Sequence, residues 1–368
     1  MTRRIGVLGG YGAVGSAAVR LLAERFDGIV RIGGRDGKRA EAAAEALAAG
    51  EAAEVDLWED AALAAFCRDC EVVVHAGGPS YQVVDRVARA AFAAGADYVD
   101  AGGDLPLYES LAGTERRALV TAGMMPGLSG LLPRWLAART GPVARLEAYA
   151  GVLDQLTPAG AVDYLLSLGG RDGESQAVWQ DGRRVTRSAA PRTDVRLPFF
   201  PGVVSAFPYL GYEPERLARQ LAIPDVRWYS VFDGGAAMMA ALARLQGAMS
   251  GEGDLAAAAA ELAEAAELDM FGREPYQRMV FTAHPVDGSA PRTLVAGSRD
   301  TSVLTGTVCG LAALQVLSGA VAPGRAFAAE ALDAETLVAD LRETDALNVF
   351  ELMTDAAEAD EAAEEGVL

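Results

Sequence analysis

The chain has 368 residues, 51% of them hydrophobic, which is enough for two domains with separate cores. Its formal charge of −19 at pH 7 argues against nucleic acid or an anionic membrane as partner, because both are bound through a basic surface. A strand opens at Arg4, leaving no room for a secretory leader, and no apolar run reaches the ~18 residues of a membrane helix, so the expected location is cytoplasmic.

Arg4-Ile5-Gly6-Val7-Leu8 reads as a buried strand. It runs into Gly10-Tyr11-Gly12-Ala13-Val14-Gly15, after which helical periodicity continues to Arg25. A G-x-G-x-x-G turn between an apolar strand and an Ala/Leu helix is the context of a dinucleotide fingerprint. Gly10 is expected to make the tight turn, Gly12 to leave backbone open to a pyrophosphate, and Gly15 to let the helix approach closely. The helix N-terminus would then face the phosphates with free N–H groups.

The second strand, near 29–33, indicates which dinucleotide. Roughly twenty residues past the glycines an NAD site carries an acid, whereas an NADP site carries a cation. Here the tip reads Gly33-Gly34-Arg35-Asp36-Gly37-Lys38-Arg39. Arg35 can take a phosphate in a two-point fork and Lys38 can add a point charge, with Asp36 beside them, so NADP(H) is the expected cofactor. Lys38 is also the only lysine among the 32 basic residues, which argues against Schiff-base and pyridoxal chemistry elsewhere in the chain.

Further strands are expected near 53–57, 71–76, 97–101 and 118–124, with helices at 13–25, 37–48, 60–66, 80–94 and about 106–116. Alternation of this kind predicts an α/β fold, a Rossmann-type doubly wound parallel sheet of six strands over 1–127. Ligands in such sheets sit beyond the carboxyl ends of the strands. The tips to watch are His75-Ala76-Gly77-Gly78-Pro79, Asp100-Ala101-Gly102-Gly103-Asp104 and Met124-Met125-Pro126-Gly127. Ala76 to Pro79 suit backbone lying close to a flat nicotinamide. Cys67 and Cys70 have C-x-x-C spacing but no second pair, so buried structural thiols are expected and no metal site.

After Pro126 the pattern changes. A helix near 129–139 leads into hairpins: 177–180 with 183–186 around Asp181-Gly182, and 277–284 with 292–296 around 285–288. They predict an α+β substrate and dimerisation domain with a mixed sheet over 128–300, interrupted by Ala-rich helix at 236–268. Gly202 to Tyr212 reads as an aromatic loop, a candidate substrate lip. Residues 301–345 are expected to be helices packing back toward the first domain, and 346–368 an acidic tail.

Together, Gly10 to Gly15, His75-Ala76-Gly77-Gly78-Pro79, Ala94-Gly95-Ala96-Asp97-Tyr98-Val99-Asp100 and Met125-Pro126-Gly127-Leu128-Ser129 resemble the saccharopine dehydrogenase (saccharopine reductase-like) family. The likeness is good over residues 1 to about 135 and weak beyond. It implies a nucleotide domain, a substrate domain on a mixed sheet, and hydride exchange at the C=N or CH–NH centre of an amino-acid-derived substrate. Many members carry Asn or a small residue where this chain has His75.

Imine chemistry needs a proton source near the nitrogen and cations for a substrate carboxylate. Asp100, Asp104 and His75 are the candidate catalytic residues. Arg171, Arg183, Arg227 and Arg299 are the candidate carboxylate partners. The reading of an NADP-dependent imine or amino-acid oxidoreductase, a homodimer by resemblance, stands beside two others. One is an NADPH-dependent reductase of a C=C or carbonyl on an apolar or carrier-bound substrate. The other is a non-catalytic NADP-binding sensor or assembly partner.

Overall fold

The computed structural model describes residues 3–167, 173–233, 235–245 and 254–354. The chain divides into two units, Met1–Leu131 with Ser302–Ala346, and Leu132–Thr301 with Leu347–Leu368. Among the described residues no helix is long and apolar enough to cross a membrane.

The first unit begins with β1 (Arg4–Leu8), α1 (Ala13–Arg25), β2 (Ile29–Gly34), α2 (Gly37–Glu45), β3 (Gly50–Glu54) and α3 (Asp60–Cys67). It continues with β4 (Val72–His75), α4 (Ser80–Val83), α5 (Arg86–Ala93), β5 (Asp97–Asp100), α6 (Leu105–Ser110) and β6 (Arg117–Val120). Strands β1, β4 and β5 are buried on both faces, as expected of a parallel sheet covered by helices. The strand near 53–57 lies earlier, as β3. Among the described residues it pairs with β2 alone, and at this edge its middle residues are half-covered and its ends exposed, so its sequence lacks the apolar signature of a central strand. The helix expected over 80–94 is broken: Val84 has φ 48°, a left-handed conformation that a β-branched residue adopts only under constraint, and α4 and α5 lie on either side of it. The sixth strand stops at Val120 because Thr121 also takes a positive φ of 58°.

Helix α7 (Leu128–Thr140) carries the chain across the boundary between the units. The second unit then forms β7 (Val143–Leu153), α8 (Pro158–Ser167), β8 (Gly173–Ser175), β9 (Val178–Gln180), β10 (Arg183–Val185) and β11 (Arg192–Val195). There follow β12 (Val204–Gly211), α9 (Tyr212–Gln220), β13 (Asp225–Phe232), α10 (Ala236–Arg244), α11 (Leu255–Met270), β14 (Tyr276–Pro285) and β15 (Arg292–Ser298). Both expected hairpins form: β9 with β10 through Asp181 and Gly182, at φ 51° and 74°, and β14 with β15. β13 runs parallel to β7 while β14 is antiparallel to it, so the sheet is mixed. The candidate lip at 202–212 is not a loop. Val204, Ala206, Pro208 and Leu210 face inward in alternation along β12, which pairs with β13, and Tyr212 starts α9.

The chain closes with α12 (Thr301–Leu317), β16 (Gly324–Phe327), α13 (Ala328–Ala331), α14 (Ala334–Arg342) and β17 (Val349–Met353). Gly306 and Gly310 let α12 lie against α1: a Cβ at Gly306 would stand 2.1 Å from the Val14 carbonyl oxygen. β16 pairs in parallel with β6, adding a seventh strand where six were expected, and Arg25 of α1 meets Asp340 of α14 at 3.0 Å. Val349–Met353, expected in an acidic tail, instead forms the β17 edge beside β15. Positions 355–368 lie outside the described residues.

Cys67 and Cys70 sit in the core under the first sheet as free thiols, with Phe66, Leu63 and Tyr98. Burial pushes Cys67 up to about 12 and Cys70 up to about 11, from an ordinary 9.0. The folded chain therefore keeps protons that the unfolded chain releases above pH 9, and stability falls as pH rises. The slope reaches roughly 1.4 kcal/mol per pH unit for each thiol between the two values. Denaturant midpoints measured from pH 8 to 11 should fall in the parent and fall less steeply in Cys67→Ala. Parallel slopes for the two proteins would remove Cys67 from the account.

Candidate functional site

In the first sheet, β1 has β2 on one side and β4 on the other, so the chain crosses over β1 after β3. Crossovers of this kind open a crevice at the carboxyl ends of the two central strands. The structure brings the glycine turn and the β4 tip together there. Ala76 N–H donates to the Leu8 carbonyl, and a Cβ on Gly9 would lie 2.9 Å from backbone atoms of Ala76 and Gly77.

The tight turn is made by Gly9, at φ 82°, one residue before the Gly10 expected for it; Gly10 has no positive φ but no space either, since its Cβ would be 2.9 Å from the Val7 carbonyl. Gly12 precedes α1 in extended conformation, and Ser16 N–H returns to its carbonyl. The N–H groups of Ala13, Val14 and Gly15, one turn of helix ahead of Ser16, have no intrahelical acceptor. A Cβ on Gly12 would meet only the Gly9 carbonyl, at 3.1 Å, whereas one on Gly15 would strike it at 2.1 Å. The turn is thus closed against its own helix and open outward, a cradle suited to an oxyanion.

Tyr11 links this turn to the β2 tip. Its hydroxyl accepts from Asp36 N–H at 2.8 Å, and its ring lies over Gly34, where any side chain would collide. Arg39 stacks on the ring at 4.6 Å and donates to the Tyr11 carbonyl. Asp36, expected among the cofactor residues, commits its carboxylate to capping α2 through Arg39 N–H. Arg35 and Lys38 are exposed and, among the described residues, make no ion pair. Arg39 joins them on the same tip, held in place by Tyr11. Three cations, beside an acid whose carboxylate is taken up by a helix cap, suit a phosphorylated ribose.

At the carboxyl ends of β4 and β5 lies a buried hydrogen-bonded cluster. His75 and Asp100 are each only 2% exposed, and His75 Nδ1 is 3.1 Å from Asp100 Oδ2. Tyr98 donates its hydroxyl to the same oxygen, and Gly102 N–H donates to Oδ1 at 2.9 Å. Burial and the Asp100 charge raise the Tyr98 hydroxyl well above its usual value, so it remains a donor. Asp100 therefore acts as an acceptor. Nδ1 then carries the imidazole proton and Nε2 holds a lone pair. Nε2 is buried without a hydrogen-bond partner among the described residues, 3.5 Å from where a Cβ on Gly77 would lie. The role of Tyr98 was not read from the sequence, although its place two residues before Asp100 on a strand puts both on one face. Asp104 stands half-buried ahead of α6, and Pro79 is the N-cap of α4 after Gly78.

The carboxylate partners considered from sequence are dispersed. Arg171 lies outside the described residues; Arg183 is exposed on the β10 hairpin; Arg227 pairs with Asp225; Arg299 follows β15 at the rim of a cavity.

Residues 5–121 match the family described as saccharopine dehydrogenase NADP binding domain. The apo saccharopine dehydrogenase (L-Glu forming) of Saccharomyces cerevisiae has a similar fold, with a TM-score of 0.67 at 16% identity over 96% of this chain and 100% of that one. A myo-inositol dehydrogenase of Corynebacterium glutamicum aligns at a TM-score of 0.45 and 13% identity, over 100% of this chain and 98% of that one. No curated protein matches by sequence. The dinucleotide of the first unit is NADP(H).

Proposed function

We propose that this chain, whose residues 5–121 match the saccharopine dehydrogenase NADP binding domain, is an oxidoreductase acting on a C=N or CH–NH centre of an amino-acid-derived substrate. When bound, NADP(H) supplies or accepts the hydride. The amides at the start of α1 would hold its pyrophosphate, and Arg35, Lys38 and Arg39 its extra phosphate.

The observation that carries the reading is the unengaged Nε2 of His75. A buried polar atom without a partner costs on the order of 1–3 kcal/mol, a penalty that a ligand's N–H would relieve. Asp100, steadied by Tyr98 and Gly102, holds the imidazole in one tautomer and one orientation. His75 can thus accept at Nε2 a hydrogen bond from a protonated imine nitrogen and take a proton from the substrate nitrogen in the reverse direction, with Asp100 and Tyr98 as positioning residues.

The test is NADPH oxidation against a panel of 2-oxo acids with amines, beside simple carbonyls and enones. Turnover is expected with the oxo acid and amine pairs. His75→Asn should lower kcat by about 10²-fold or more while the NADPH Kd stays within about twofold. Turnover confined to carbonyls or enones, or a His75→Asn enzyme with unchanged kcat, would contradict the reading.

A further inference from the structure

Among the described residues of the first unit, the large hydrophobic side chains left open to solvent are Trp58, 54% exposed, and Met125. A tryptophan carries one of the largest apolar faces of any side chain, and leaving it open forgoes the stabilisation that burial would give. The glycine turn and the cationic tip make no use of it.

The turn that presents Trp58 is fixed at the carboxyl end of β3. Gly34 and Glu54 close the register of β2 with β3, Val55 N–H donates to the Gly34 carbonyl at 2.8 Å, and a Cβ on Gly37 would stand 2.7 Å from Glu54 Oε2. The chain leaving β3 therefore starts beside the tip that carries Arg35, Lys38 and Arg39. Asp56 then turns it, accepting from Trp58 N–H at 2.9 Å through its carboxylate and from Glu59 N–H at 3.0 Å through its carbonyl. Arg86, at the start of α5, lies over the indole with its guanidinium carbon 5.4 Å from the ring centroid. It is pinned there by the Leu57 and Trp58 carbonyls, at 2.6 and 2.8 Å, and by Asp60. A cation thus backs the ring while more than half of the residue stays open.

In NADP(H) the extra phosphate and the adenine are carried by one ribose, so a phosphate held at the β2 tip brings the purine to the carboxyl ends of the neighbouring strands. A purine presents a flat π-face, and a tryptophan ring in contact with a guanidinium is a strong partner for it. Tyr11, the other ring at this tip, is already taken: it lies over Gly34 and carries Arg39.

We infer that Trp58 is the stacking platform for the adenine of NADP(H), with Arg86 as the positioning residue that holds its ring. The inference rests on the NADP(H) reading and adds to it a subsite for the base, which neither the glycine turn nor the cationic tip recognises. The probe is adenosine 2′,5′-bisphosphate, which has the base and the extra phosphate but no nicotinamide. Trp135, Trp179 and Trp228, the other tryptophans of the chain, are at most 7% exposed and belong to the second unit, so the probe should quench the emission of Trp58 alone. Quenching should saturate in the parent and vanish in Trp58→Phe, which keeps a flat ring and should hold the probe within about threefold of the parent by calorimetry. Trp58→Ala should weaken the probe by at least about fivefold. If Trp58→Ala fails to fold, the fluorescence titrations of the parent and Trp58→Phe decide alone. The inference is overturned, with the NADP(H) reading intact, if the probe binds the parent without quenching, if quenching survives in Trp58→Phe, or if Trp58→Ala binds the probe as tightly as the parent. A parent that binds neither the probe nor NADPH overturns both.

Discussion

Gly15→Ala should abolish NADPH binding and lower the thermal midpoint of the protein by roughly 6–12 °C, the equivalent of about 3 kcal/mol for a unit of this size. A Cβ at this position would stand 2.1 Å from the Gly9 carbonyl oxygen and 2.8 Å from the Gly10 Cα. Both are backbone atoms of the turn, so no side chain can rotate away, and α1 must lift off the strand it packs on. The turn cannot give way either, since Gly9 is itself wedged against Ala76 and Gly77. Gly12→Ala is the control. Its Cβ meets a single carbonyl at 3.1 Å and otherwise faces outward, so stability should change by less than about 1 kcal/mol. Cofactor affinity should still fall, because the methyl stands between backbone and phosphate. A Gly15→Ala protein with parental melting and parental NADPH binding would show that the turn is not packed as described.

Arg35→Ala should raise the NADPH KM at least tenfold and leave that for NADH within about twofold, a discrimination of at least about 1.4 kcal/mol. Arg35 is exposed at the β2 tip with no ion pair among the described residues, so its removal should not disturb the fold. Arg39 differs: it stacks on Tyr11 and donates to the Tyr11 carbonyl, so Arg39→Ala loosens the tip as well as removing charge. Equal losses for both nucleotides in Arg35→Ala would assign the phosphate to another residue.

What could be read in advance was the chemistry carried by neighbours in sequence. The strand, glycine turn and helix at Arg4–Arg25 are local, and so is the Asp181-Gly182 hairpin, whose two positive φ values a two-residue turn requires. Features set by distant partners were not legible. β16 is four residues with a glycine and an arginine, and it becomes a strand only because β6, some two hundred residues earlier, offers an open edge. The 202–212 segment read as an aromatic loop, yet the inward alternation of 204–211 is settled by pairing with β13. Asp36 was expected among the cofactor residues and is a helix cap, a role that depends on where α2 starts. At the strand tips, His75 and Asp100 were visible as residue types. Their contact through Tyr98 depends on the parallel register of β4 and β5, which places His75 opposite Asp100. Arg278 was invisible for a related reason: an arginine in a strand is ordinarily solvated, and this one is only 7% exposed on β14, with Gly297 in register beside its side chain.

The most direct test of the whole account is a calorimetric titration of the parent chain with NADPH and, separately, NADH. The predicted result is one NADPH per chain, bound at least tenfold more tightly than NADH, with that preference lost in Arg35→Ala. Tighter binding of NADH, or no binding of either nucleotide, would contradict it.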